Sequence, residues 1–139
     1  MDPRRDQIGE LATRLRAFGS DLLETRGVEW TVDAPVEKLH QGVSTALRRQ
    51  IYLVFKEGIH NIGKHSEAKR ATLRLWLQDG DVCGELTDDG RGIVPGSKHG
   101  TGLPSMRKRV TQLAGNFEIS SVSGGGTSIR IKLPLSKRA

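Results

Sequence analysis

Two apolar periodicities share this chain, and the switch between them limits what it can fold into. Between residues 44 and 65, Ile51, Val54, Phe55, Gly58, Ile59 and Ile62 return every three or four positions, the spacing of one helix face. From Leu73 onward the step becomes two. Leu73, Leu75 and Leu77 alternate with Thr72, Arg74 and Trp76, and Val82, Gly84 and Leu86 with Cys83, Glu85 and Thr87. Phe117 and Ile119 begin another such run, and Ile129, Ile131 and Leu133 form a last one. Strands that each bury one face predict an antiparallel or mixed sheet covered by helices on one side, an α/β two-layer sandwich.

The remaining segments fill in this outline. Ile8, Leu11, Leu15, Phe18, Leu22 and Leu23 predict a helix over 6–26, with Gly27 as its stop. Val28 to Asp33 reads as a short strand closed by Pro35, and 36–43 stays open between loop and helix. Asp79-Gly80 is a hairpin signal. Residues 89–102 hold five Gly and one Pro, which excludes a regular element. A helix is expected over 103–114, ended by Gly115-Asn116, and Gly124-Gly125-Gly126 marks a turn.

The 139 residues suit one core. No apolar run reaches the ~20 residues of a membrane helix, and no leader is evident, so a cytoplasmic setting without direct membrane contact is expected. Cys83 is the only cysteine and reads as a sheet residue rather than a nucleophile. The net charge is +6. It fits either a solvated surface or a polyanionic partner. The cations are scattered and aromatics are few, so no nucleic-acid partner is expected.

Three short patterns carry chemistry. On the helix over 44–65, Glu57, Asn61, Lys64 and His65 fall on a flank that borders the apolar stripe. An Asn oxygen can ligate Mg²⁺, Lys64 and His65 can face phosphate, and Glu57 can orient or deprotonate a nucleophile. An ordinary amphipathic helix with a solvated flank would look the same. Asp88-Asp89-Gly90-Arg91-Gly92 follows a strand; Asp88 there can accept from an exocyclic amine, while Gly90 and Gly92 let backbone approach a planar base. A plain Asp-Gly turn is the bland alternative. Gly100-Thr101-Gly102 precedes the helix at Leu103 and can form an anion site. It is neither a dinucleotide fingerprint nor a Walker loop. The four histidines lack metal-ligand spacing with each other or with Cys83.

The order of these patterns is more specific than any one of them. Phe55 to Ser66 resembles the N box of the gyrase, histidine-kinase and mismatch-repair ATPase superfamily. Asp88 to Gly92 resembles its Asp-x-Gly-x-Gly box, and His99 to Val110 its second glycine box as found in histidine kinases. Gly124 to Ile131 resembles the terminal Gly-Thr strand pair. The resemblance spans roughly residues 28–135 and implies the Bergerat fold, with residues 28–136 as the ATP-binding catalytic domain. Residues 1–27 would be an N-terminal helix, either the tail of a dimerisation segment or a connection to one. It further implies ATP and Mg²⁺ as cofactors. Asn61 would hold the metal, Asp88 would read the adenine amine with support from Thr127, and Glu57 would help phosphoryl transfer. Lys64 and His65 would face the phosphates, with Gly90, Gly92, Ile93, Gly100, Thr101, Gly102 and Leu103 lining the nucleotide.

Seven residues, Ile93 to His99, separate Gly92 from Gly100, and none is Phe. This resembles the short-lid kinases that partner helix-turn-helix response regulators. In that subclass the phosphoacceptor His precedes an acidic residue. Here Gln41, Asn61, Ser66 and Gly100 follow the four histidines. The implied function is the catalytic domain of a two-component sensor histidine kinase, acting on a His supplied by another segment, with a response regulator downstream. A stand-alone anti-sigma-factor serine kinase of the same fold is the alternative, and a basic nucleic-acid or scaffold domain a third.

Overall fold

The structure, a computed structural model, describes residues 8–34, 42–91, 103–122 and 125–135. Its elements in chain order are α1 (Ile8–Leu23), β1 (Glu29–Asp33), α2 (Thr45–Asn61), β2 (Arg70–Gln78), β3 (Asp81–Asp88), α3 (Leu103–Gln112), β4 (Asn116–Val122) and β5 (Gly126–Pro134). The sheet order is β1-β2-β3-β5-β4. Only β1 and β2 run parallel; the other three pairings are antiparallel. The expected mixed, mostly antiparallel sheet with helices on one face is what forms.

Local chemistry sets most element ends. Gly27 turns left-handed (φ 78°) after a 3₁₀ turn at Glu24–Arg26, which stops α1. The Ser44 hydroxyl accepts from the Leu47 N–H at 3.1 Å and caps α2. Asp79 and Gly80 both have positive φ, 52° and 82°, the conformation a tight two-residue hairpin requires. The helix expected over 103–114 ends at Gln112, and the left-handed residue is Ala114 (φ 61°) rather than Gly115. Gly115 is needed for space: a Cβ there would lie 2.5 Å from Lys132 O. Likewise α2 stops at Asn61, and Ile62–Ser66 continue as a wide π turn in place of the expected α-helix to 65.

The inner face of the sheet consists of cross-strand rows. Val32, Leu73, Leu86, Ile129 and Ile119 share one row across all five strands, and Leu75, Gly84, Ile131 and Phe117 share the next. Leu73, Leu86, Ile129 and Ile131 join Ile51, Val54, Phe55 and Ile59 of α2 in one core, with Ile8, Leu11 and Leu15 of α1 and Met106 and Val110 of α3. Each such side chain contributes about 1.5–3 kcal/mol by leaving water. Gly84 forms a notch in this face, and the Phe55 ring occupies the space where its side chain would stand.

Candidate functional site

The relative course of α2 and β3 locates the site. Phe55 meets Gly84, and one turn later Gly58 faces Leu86, where a Cβ would come within 2.6 Å of the Leu86 Cδ2. Helix and strand therefore advance together. One more turn, about 5.4 Å, brings Asn61, and two more strand residues, about 6.8 Å, bring Asp88. The polar end of the helix and the carboxylate at the strand end thus reach the same edge of the molecule.

Asp88 is 9% exposed and closes the inner face of β3. One carboxylate oxygen accepts the Gly90 N–H at 2.8 Å. Burial pushes its pKa up and the neighbouring Asp89 charge adds to this, against the Gly90 hydrogen bond, which lowers it. Across the ladder Asp88 pairs with Thr127. The Thr127 hydroxyl lies 3.2 Å from that of Ser121, which also bonds Gly126 O at 3.3 Å. Gly126 has φ 91° and packs so tightly on the Asp88 carbonyl that a side chain would overlap it. Asp88, Gly90, Thr127 and Ser121 thus form a polar corner on an otherwise apolar face.

Glu57 and Asn61 are half-buried, as a flank bordering the core requires, and Lys64 is exposed. The Asn61 Nδ2 is buried and has no hydrogen-bond partner among the described residues. A buried amide end left unpaired costs about 1–3 kcal/mol, and rotating the amide would place its oxygen there instead. Among the described residues no three His, Cys, Asp or Glu side chains gather. A metal at Asn61 would thus draw most of its ligands from phosphate and water, the habit of Mg²⁺. Glu57 lines a cavity of about 300 Å³ between α2 and α3 with His60, Ser105 and Arg109.

Not every expected residue joins this group. Leu103 lines a groove with Pro104, Arg107 and Ile119, toward β4. Gly92, Ile93, Gly100, Thr101, Gly102 and the His65 side chain lie outside the described residues. One residue of the corner and one beside it were not singled out from the sequence. Ser121 enters through the β4–β5 register. Asp89 enters by accepting the backbone N–H groups of Lys69 and Arg70 at 2.8 and 2.9 Å. Away from the corner, burial raises the Cys83 thiol pKa, against the nearby Lys132, which keeps it from thiolate chemistry.

Known proteins resemble this chain in sequence and in fold. The signal transduction histidine-protein kinase/phosphatase UhpB of Salmonella typhimurium is 35% identical over 95% of this chain and 26% of its own length. The sensor histidine kinase LiaS of Bacillus subtilis is 27% identical over 78% of the chain and 29% of its own. The chain spans about a quarter to a third of these relatives. Among solved structures, a blue-light activated histidine kinase of Erythrobacter litoralis superposes with a TM-score of 0.74 at 22% identity. That match covers 90% of this chain and 42% of the other. The catalytic domain of histidine kinase ThkA superposes at 0.72 with 15% identity, covering 92% of each chain. These two likenesses carry the fold. Residues 46–137, most of the chain, match one family model, and the chain belongs to that family, the histidine kinase-, DNA gyrase B- and HSP90-like ATPases.

Proposed function

We propose that this chain is the ATP-binding catalytic domain of a two-component sensor histidine kinase. The observation that carries this is the shared edge where α2 and β3 end, with Asp88 buried at 9% exposure and the Asn61 Nδ2 unpaired. Asp88 accepts a hydrogen bond from the adenine amine, and Thr127, placed opposite it, supports the contact. Gly90 and Gly92 leave room for the base. Asn61 would supply one neutral oxygen to Mg²⁺, which would neutralise phosphate charge when bound. Lys64 and His65 would face the phosphates, and Ile93, Gly100, Thr101 and Gly102 are the residues expected to line the nucleotide. The relatives above carry histidine-kinase names, which puts this reading ahead of a sigma-factor regulator.

In the reaction, a histidine nitrogen of the dimerisation segment attacks the γ-phosphorus. The bond from that phosphorus to the bridging oxygen breaks, and ADP leaves. Positioning and charge neutralisation dominate such transfers, and Glu57, beside the cleft between α2 and α3, orients the nucleophile or takes its proton. Residues 1–27 lead into the domain, and residues 28–136 hold the nucleotide. The phosphoryl group passes onward to a response regulator. No helix among the described residues is long and apolar enough to cross a membrane; a cytoplasmic position, under a membrane anchor or free of one, is part of the proposal.

The test mixes this chain with a dimerisation segment of a related kinase and γ-labelled ATP with Mg²⁺. Acid-labile, base-stable label on the segment is expected. ATP binding with no phosphohistidine, across several such segments, refutes the kinase reading; no ATP binding refutes the nucleotide site as well.

A further inference from the structure

Asp89 looks like a spare acid beside Asp88: it is exposed and its side chain points away from the inner face. Its bonds say otherwise. Arg70 and Asp89 would be the next rung of the β2–β3 ladder after Ala71 and Asp88. Half of that rung is ordinary, since the Asp89 N–H donates to Arg70 O at 3.2 Å. The other half is not. The Arg70 N–H goes to the Asp89 carboxylate at 2.9 Å, and the same oxygen takes the Lys69 N–H at 2.8 Å. The Lys69 carbonyl in turn accepts the Glu29 N–H at 2.8 Å, so the contact reaches β1.

We infer that Asp89 is a positioning residue for the nucleotide site: its carboxylate stands in for a backbone carbonyl and lets the chain leave the sheet directly after Asp88. Without that substitution, Arg70 would hold the Asp89 backbone carbonyl and the strand would run on past the corner. The turn that brings the Gly90 N–H onto Asp88 could then not begin where it does. The contact also ties the segment following the π turn, which carries Lys64, to the strand end that carries Asp88. Asp89 therefore joins the phosphate side of the cleft to the base side. The two N–H bonds hold its carboxyl below the usual carboxylate range, so it is a carboxylate at neutral pH.

This role needs an acceptor oxygen at one place and no negative charge. It rests on the nucleotide reading above, and the experiment separates the two. Adenosine and ATP affinities are measured by calorimetry on the wild-type chain, Asp89→Ala, Asp89→Asn and Asp89→Glu. The alanine variant should bind adenosine about tenfold more weakly, the loss of one to two hydrogen bonds' worth of positioning. Asparagine keeps the acceptor and should stay within about threefold of wild type. Glutamate keeps the charge but moves the oxygen by a methylene, and should resemble alanine. If alanine does not fold, asparagine against glutamate decides: glutamate as tight as asparagine overturns the inference. Adenosine bound equally by wild type and alanine, or asparagine as weak as alanine, also overturns it while leaving the nucleotide site standing. A wild-type chain that binds neither adenosine nor ATP removes both.

Discussion

The two faces of the sheet treat polar groups in opposite ways. On the outer face, Asp33, Arg74, Glu85, Arg130 and Glu118 form one row across all five strands, with charges that alternate at every step. Arg74 reaches Asp33 at 3.6 Å and Arg130 reaches Glu85 at 2.7 Å. Glu118 adds to the field that raises the Arg130 pKa, after the larger effect of the Glu85 bond. On the inner face the polar groups are few and poorly compensated. Asp88 is pushed toward its neutral form, and on α2, which covers this face, one end of the Asn61 amide is buried unpaired among the described residues. Groups matched within the fold serve solubility and register. Groups left unmatched at one edge of the core are a cost the fold accepts where a ligand supplies the match.

The sharpest test of that contrast is Asp88→Asn. Adenosine affinity should fall about 30- to 100-fold, the range for a hydrogen bond to a charged group, while the Tm rises by about 2–4 °C. The sign follows from the pKa direction. Burial makes the charged form of Asp88 costly in the folded state, so its ionisation opposes folding above its raised pKa. That penalty fades as pH falls, and the Tm gap between variant and wild type should close with it. Wild-type adenosine affinity should drop over the same interval, because the carboxylate is a stronger acceptor for the adenine amine than the neutral acid. A variant that loses both affinity and stability would mean that Asp88 is a structural residue.

Asn61→Ala should have a smaller effect. Mg²⁺-dependent ATP affinity is expected to fall about tenfold, with adenosine affinity unchanged, since one ligand of several is lost. Because the variant removes an unpaired buried group, its Tm should not fall. A marked Tm loss in a thermal melt would show that the amide is satisfied within the fold. The smallest effect belongs to the outer face. Glu85→Gln should cost at most about 1 kcal/mol, less at high salt, and leave adenosine binding unchanged. An adenosine loss in Glu85→Gln as large as that of Asp88→Asn would abolish the distinction between the faces.

How far the residues themselves reveal this molecule depends on range. The change from helical to alternating spacing marks α2 and the strands, because burial acts on each element separately. The Asp79-Gly80 hairpin is legible because only certain residues tolerate its backbone. The strand order is not, since nothing local places β5 between β3 and β4. The helical wheel describes Glu57 and Asn61 but not the residues after them: a π turn bonds i to i+5, so Lys64 no longer follows the phase of α2. Asp88 stands out through its motif. Asp89 and Ser121 do not, because their carboxylate and hydroxyl meet their partners only once β2 is paired with β3 and β4 with β5.

The fit of Phe55 into the notch at Gly84 has a consequence for comparing or rebuilding such domains. The two positions act as a single unit of information. A relative that regains a side chain at the place of Gly84 has to shrink the ring at the place of Phe55, and the reverse change leaves a hole. The pair should therefore exchange together or stay fixed together. Anyone grafting this helix onto another sheet must carry the notch along with the ring.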